Sequence, residues 1–497
     1  MEAIDSIAQG SRKGYIKMWK WLNETLMSFR NVFSRETPFK WFVIVVMGFM
    51  TRQEHLGITS IVRELCLNPH YYGALLHFFR SNALRVEHVR NQWMEIVLKT
   101  RMLFREGGMP ILIGDGVKQS KEGKRIPCVK KLYQQSANSS APSYMQGHMF
   151  GSIGVLVGNL TKLFCLPLSM RIHDGDAHIK QWEDPDAKDE SHVVRIIREA
   201  SKFAVRLGKS ILLLDRYYLS VPALVAWLEE EKRAGRPLLS LVMRAKGNPA
   251  AYEEPEETSG RGRPRKKGNK VKVGDLFECR KNDFVPKEVV LYGKKETVSF
   301  LYRDLLWGQK LYQRLRFVLV IHGTSQSIFV STDLSLSPLQ IIRLYGYRFK
   351  IESCFRELKQ VIAGFAYRFW TVSVPKLKRY AKSGTDVLAA VVNEGDKARI
   401  LATHKAVESF VTISCIALGL LQLCSLLFAN EINASPLRWL RTKSNHFPSE
   451  ATTAHFMRKT IFRMCAQRPS LAILRFIRER QSPTVRDDYD LDSTVGA

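Results

Sequence analysis

Six side chains in this 497-residue chain are of types, and at spacings, that could together transfer a phosphoryl group: Asp115, Asp215, Tyr345, Arg348, Glu352 and Lys359. The last four lie in one stretch, SPLQIIRLYGYRFKIESCFRELKQVI, residues 337–362. Ser337 can cap free backbone N–H groups and Pro338 suits a first helical position. Only Gly346 interrupts the run of helix formers after them, at a cost of about 1 kcal/mol, so one helix of about 25 residues is predicted. At about 100° per residue, Tyr345, Arg348, Arg356 and Lys359 all fall within roughly 40° of Glu352. Leu344, Ile351, Phe355, Leu358 and Ile362 form an apolar stripe beside them. One flank of the helix would pack, and the next would present an acid among bases and a tyrosine.

The two aspartates have a common setting. ILIGDGVK is a short apolar run ending in Asp115, and GKSILLLDRYYLS repeats the theme with Asp215. Both read as buried strands that deliver a carboxylate at their end. Neighbouring strands lie about 4.8 Å apart, so two such ends could hold divalent ions between them, with Glu352 as a third ligand. Oxygen ligands around two metal ions are the equipment of phosphoryl transfer. Arginine grips phosphate as a fork and lysine as a point charge, which suits Arg348 and Lys359. The plainer readings stay open here: weak surface ion pairs along the helix, and solvated strand ends or helix caps for the aspartates.

The surrounding elements must bring these residues together. Up to about Phe104 the pattern is helical, aromatic and basic; Ile58–Cys66 and Pro69–Phe79 could form a helix-turn-helix that turns Tyr71, Tyr72 and His77 toward DNA, or a simple helical hairpin. From Pro110 the texture is strand. GHMFGSIGVLVGN and LFCLPLSMRIHDG make a hairpin around residues 159–162, Lys118–Ser143 reads as a surface loop, and Glu190–Leu207 as a helix. Strand, hairpin, helix, strand describes a mixed α/β sheet flanked by helices. PLLSLVMRAK, VKVGDLFECR, KEVVLYG, TVSFLYRDLLW, RFVLVIHG and SIFVSTDL then read as strands before the helix at Ser337 begins. Ahead of most of them, RGRPRKKG carries Arg261, Arg263 and Arg265, a cluster similar to an AT-hook for the minor groove of A·T-rich DNA; as a basic loop it would still add salt-sensitive phosphate affinity. Beyond residue 380 the chain is helical and basic, in RWLRTK, FMRKTIFRMC and ILRFIRER, and the tail RDDYDLDSTVGA is acidic.

Lysine and arginine number 76 against 47 acids, a net charge of +29, which calls for a polyanionic partner, nucleic acid first and an anionic membrane second. Val411–Ala429 is uncharged and just long enough to span a bilayer, but Thr412, Ser414, Gln422 and Ser425 interrupt it, and a buried helix is expected. The eight cysteines form no CxxC pair, so neither a zinc ribbon nor a disulfide framework is indicated, and a reducing cytoplasm fits. No GxxxxGK[ST], GxSxG or HExxH occurs, and no GxGxxG comes after a strand, which removes the usual support for nucleotide-driven, serine-hydrolase and zinc-protease chemistry.

Asp115, Asp215 and Glu352 resemble the DDE triad of cut-and-paste insertion-sequence transposases. Tyr345, Arg348, Glu352 and Lys359 match the YREK signature of one bacterial group, Y-x2-R-x3-E-x6-K, and GFAYRFW after it is similar to that group as well. The resemblance runs from about Ile111 to Lys359. It implies a ribonuclease-H-like core in two parts, residues 106–237 and 334–380, interrupted by a β-rich insertion domain over 238–333; from their own residues, 1–105 reads as a helical DNA-binding region and 381–497 as a helical, basic region with an acidic tail. It further implies that the three acids bind Mg²⁺, with Mn²⁺ able to substitute, and that Tyr345, Arg348 and Lys359 grip DNA phosphates, which Arg356 would reinforce. The activity implied is cleavage at transposon ends, through a hairpin, and strand transfer into target DNA. The implied partners are double-stranded DNA and a second copy in a synaptic homodimer, in the bacterial cytoplasm at the nucleoid and without a membrane. A catalytically inactive DNA-binding descendant is the alternative.

Overall fold

A computed structural model of the chain describes residues 16–133, 143–256, 265–291, 293–378, 385–434 and 446–485. Arg261 and Arg263, the RWLRTK segment and the acidic tail lie outside these residues.

The chain opens with a helix over residues 16–27 and continues through α1 (Glu36–Thr51), α2 (Thr59–Glu64), α3 (Tyr71–Arg80) and α4 (Val86–Lys99). Helix α1 is apolar nearly all round, and all of it from Trp41 onward is buried, as a helix at the centre of a bundle must be. Helices α2 and α3 are the expected pair, but Tyr71 turns inward against Trp41, while Tyr72 and His77 are both exposed at the surface.

Strands begin with the short β1 (Arg105–Glu106) and the long β2 (Met109–Ser120), then β3 (Lys130–Tyr133), β4 (Tyr144–Asn159) and β5 (Lys162–Ile172). Strands β4 and β5 form the expected hairpin, closing at Asn159 opposite Lys162. Asp115 does not end its strand: β2 runs five residues further and pairs antiparallel with β4 as far as Ser120. The expected loop over 118–143 accordingly holds the end of β2 and all of β3. Helices α5 (Ala177–Glu183) and α6 (His192–Leu207) lead to β6 (Ser210–Leu214), and α7 (Val221–Ala234) to β7 (Leu239–Arg244). Ser191 and Ser220 cap α6 and α7, each accepting a hydrogen bond from a first-turn backbone N–H, and Gly235 ends α7 in the left-handed conformation that favours glycine.

These strands lie in the order β5-β4-β2-β6-β7, with β4 antiparallel to both of its neighbours β5 and β2, and β2, β6 and β7 parallel. The sheet does not stop there. Strands β8 (Ala250–Tyr252), β9 (Lys270–Lys272), β10 (Val285–Leu291), β11 (Lys294–Trp307), β12 (Gln313–His322) and β13 (Ser325–Ser331) continue it, since β13 pairs antiparallel with β7. One mixed sheet of thirteen strands among the described residues therefore runs through both the aspartate-bearing strands and the β-rich segment. VKVGDLFECR is strand only at its start; Val273–Cys279 is helical, ending in the single turn α8 (Leu276–Cys279).

The 25-residue helix is two helices, α9 (Pro338–Tyr347) and α10 (Lys350–Gln360). Ser337 and Gln340 close a full capping box at the start. At the junction the backbone stays in the right-handed region, but the N–H groups of Arg348, Ile351 and Glu352 reach back three residues rather than four. This tighter 3₁₀-type winding breaks the helical ladder at Arg348. The apolar stripe behaves as expected: Leu344, Ile351, Phe355, Leu358 and Ile362 are all buried.

Helices α6 and α7 pack together and α6 covers one face of β2 and β4, while α10 and the long α11 (Glu394–Leu427) lie against β5. Helix α11 is long and apolar enough to cross a membrane, yet its most apolar window is 94% buried inside the protein; it is the central post on which α1, α3, α4 and β5 pack, and the expectation of a buried helix holds. Helices α12 (Ala429–Asn433), α13 (Glu450–Gln467) and α14 (Ala472–Arg478) complete that bundle. Arg52, 2% exposed, joins the bundle to the signature helices: it donates to the carbonyls of Ile362 and Ala363 just past α10, and to the Gly57 carbonyl and Ser60 Oγ. Burial draws its pKa down to about 9, so it remains charged at neutral pH.

Candidate active site

Side chains alternate between the faces of a strand. A Cβ on Gly114 or Gly116 would strike α6 side chains, Ile196 or His192. Asp115 between them faces the other way, toward α9 and α10. Strand β6 stops pairing with β2 at Leu213 opposite Ile113, and Asp215 comes one residue past its end. The two aspartates thus flank the point where the parallel pair parts. The junction between α9 and α10 lies over that point.

Arg348 occupies the middle. Its Nη2 donates to Asp115 Oδ2 and lies 3.9 Å from Asp215 Oδ2, while Nη1 donates to Glu352 Oε1 at 2.6 Å. Residues 100 and 137 positions apart in sequence meet on one guanidinium. Tyr345 OH donates to Asp215 Oδ1 at 3.5 Å, and the Gly116 N–H donates to Asp115 Oδ1 at 2.8 Å.

Burial pushes Asp115 up to about 6; Arg348 and the Gly116 N–H oppose the rise, and the charges of Asp215 and Glu352 add to it. Burial also raises Tyr345, with Asp215 contributing. Arg348 is held above its ordinary value, because Asp115 foremost and the other acids outweigh its burial. Its Nε is buried with no hydrogen-bond partner among the described residues, one donor that the three acids leave unused.

Three carboxylates drawn onto a cation are a donor set suited to a hard divalent ion. With the guanidinium among them, no three His, Cys, Asp or Glu side chains are gathered closely enough to hold a metal among the described residues. An ion in that place would require Arg348 to turn aside.

The remaining expected residues lie apart from this cluster. Lys359 is exposed near the end of α10, its pKa lowered by desolvation. Arg356 is exposed but paired with Glu357. Arg265 is exposed on the β-rich segment. Sequence reasoning missed a relay beneath Asp115, in which His173 Nδ1 lies 2.9 Å from His192 Nδ1 and His192 Nε2 2.8 Å from Tyr218 OH. Burial lowers both histidines and raises Tyr218, whose phenol also feels Asp115 and Asp215. The only sequence signal was RYYLS directly after Asp215; the histidines come from distant segments.

Residues 28–283, just over half the chain, match the family model described as DDE superfamily endonuclease. The chain belongs to that family. The match spans both aspartates and ends before Glu352, which joins them through the fold. No curated protein and no solved structure matches the chain.

Proposed function

We propose that this chain is a DNA transposase of the YREK-bearing insertion-sequence group, which cleaves DNA at transposon ends and transfers the freed strand into target DNA. The observation that carries the reading is the convergence of Asp115, Asp215 and Glu352 on Arg348. A ribonuclease-H-like core is part of the proposal; what supports it is the strand order β5-β4-β2-β6-β7 with three antiparallel and two further parallel strands. The net charge of +29 favours double-stranded DNA as substrate, and a synaptic homodimer and a hairpin at the excised end complete the cut-and-paste scheme.

Asp115, Asp215 and Glu352 would hold Mg²⁺, or Mn²⁺ in its place. Such ions, when bound, polarise the scissile phosphate and ease ionisation of an attacking hydroxyl. Phosphoryl transfer asks a protein mainly for positioning and charge stabilisation. Arg348, on turning aside, can offer its unpaired Nε and forked guanidinium to a phosphate, Tyr345 fixes the Asp215 carboxylate by its hydroxyl, and Lys359 supplies a point charge about two helical turns beyond Glu352. Arg356 would add to that grip once released from Glu357, and Arg261, Arg263 and Arg265 would track DNA at a distance from the cut. The setting is the bacterial cytoplasm, at the nucleoid.

The test is Mg²⁺-dependent cleavage of the DNA flanking the gene by the wild type and by Glu352→Gln. The variant is expected to lose at least about 100-fold in rate, the scale of a removed electrostatic contributor, and to keep DNA affinity. Binding without cutting by the wild type, with Mn²⁺ also tried, would replace this reading with that of an inactive DNA-binding descendant.

A further inference from the structure

A second site opens at the far end of β2. Two loops, residues 120–127 and 366–378, enclose a cleft of about 860 Å³. They are tied to each other: Thr371 N–H donates to Arg125 O and Leu377 N–H to Lys124 O, and the Arg125 guanidinium donates to the carbonyls of Val372 and Val374. Lys121 spans the floor, donating to the carbonyls of Phe365 and Tyr367 with its ammonium 3.5 Å from the Tyr367 ring centre. The walls are therefore fixed before any ligand arrives.

The lining is strongly basic. Lys121, Lys124, Arg125, Arg368 and Lys376 face one acid, Glu122. Lys124, Arg368 and Lys376 have no carboxylate within ion-pair distance among the described residues. Burial, with Arg368 nearby, pulls Lys121 down to about 7, so its ammonium is only partly charged at neutral pH and the free cations of the cleft among the described residues are Lys124, Arg368 and Lys376. At its mouth Trp370 is 56% exposed, unusual for a residue that is highly buried on average. Arg80 from α3 holds its backbone carbonyl, and the ring has no aromatic or cationic partner among the described residues.

Unpaired cations beside an open aromatic face match a nucleic acid strand whose bases are out of a duplex: phosphates meet the charges and a base stacks on the ring. A duplex keeps its bases stacked on one another and gives such a ring nothing to cover it. The cleft is of the size that encloses a small ligand, which suits a few nucleotides and not a double helix. Asp115 lies five residues back along β2, about 17 Å at the rise of a strand.

We propose that this cleft holds an unpaired stretch of the DNA substrate, with phosphates on Lys124, Arg368 and Lys376 and one base stacked on Trp370. It rests on the reading of the chain as a DNA-processing enzyme. A strand lying there continues toward the carboxylates within a few nucleotides, so the cleft would hold the end that the cut releases.

The experiment is fluorescence anisotropy of the full chain with a labelled oligothymidylate of about twelve nucleotides, within the length that such sites cover, beside a duplex of the same length and thymidine monophosphate as competitor. Trp370→Ala is expected to weaken the oligonucleotide about tenfold, as loss of one stacked base does, while Trp370→Phe keeps most of the affinity. Lys124→Gln with Lys376→Gln should lower the single-strand salt slope by about 1.4, at roughly 0.7 per phosphate. Duplex affinity should be unmoved by either change, and an unchanged melting temperature would show the variants folded. Single-strand affinity indifferent to both changes, an equal loss for duplex, or the mononucleotide binding as tightly as the oligonucleotide would each overturn the proposal and leave the transposase reading standing. Failure of the wild type to bind either form of DNA would remove both.

Discussion

At the scale of single residues, Arg348 is the most informative side chain. It hydrogen-bonds Asp115 and Glu352 and lies 3.9 Å from Asp215, so it competes with any divalent ion for the same oxygens, and on turning aside it would bring its unpaired Nε to a phosphate. Arg348→Ala should therefore have two opposite effects. Calorimetric titration with Mn²⁺ should show tighter binding, on the order of tenfold, because a competing cation has gone from a shielded site. The same variant should cleave DNA at least about 100-fold more slowly, because the phosphate loses its forked donor. A loss of metal affinity would mean that the guanidinium orders the acids and does not stand in for an ion.

At the scale of elements, the break between α9 and α10 sets where Arg348 and Glu352 point, and Arg52 anchors the chain just past the far end of α10. Arg52 makes five hydrogen bonds to the segments after α10 and around the start of α2, replacing partners that the end of a helix lacks. Arg52→Leu would strand those buried carbonyls and should cost about 3 kcal/mol, read as a shift of the urea midpoint at unchanged slope. Much of this level is legible in the sequence. The apolar stripe from Leu344 to Ile362, the Ser337 cap, the hairpin at residues 159–162 and the apolar runs before both aspartates arise from local periodicity and turn chemistry. The break at Arg348 does not, because its residues keep helical dihedrals and carry no proline, and only the hydrogen-bond register changes. Nor does the continuation of β2 past Asp115, which depends on β4 lying beside it. The His173–His192–Tyr218 relay and the Arg52 anchor join residues far apart in the chain, so no local pattern announces them.

At the scale of the whole molecule, two halves meet on α11. Glu408, 14% exposed, binds Arg90 of α4 at 3.1 Å and accepts the Ile172 N–H of β5 at 3.0 Å, so one carboxylate links bundle to sheet. Burial would raise its pKa, but Arg90, His404 and Arg171 together with that N–H hold it down at about 2. A depressed carboxylate stabilises the fold above its unfolded value near 4.5, and the contribution is lost as pH falls toward about 2. Denaturant melts of the wild type should therefore weaken across that window. Glu408→Gln should be less stable by about 3 kcal/mol at neutral pH and should lack this part of the acid dependence. The sheet carries the other consequence. Because β13 pairs with β7, the segment between Arg244 and Ser331 is not a pendant that could be trimmed away. Its removal would bare the backbone of β7 as a raw edge, a template for pairing with a second chain. What interrupts the sequence between Asp215 and Glu352 is thus also what covers the edge of β7.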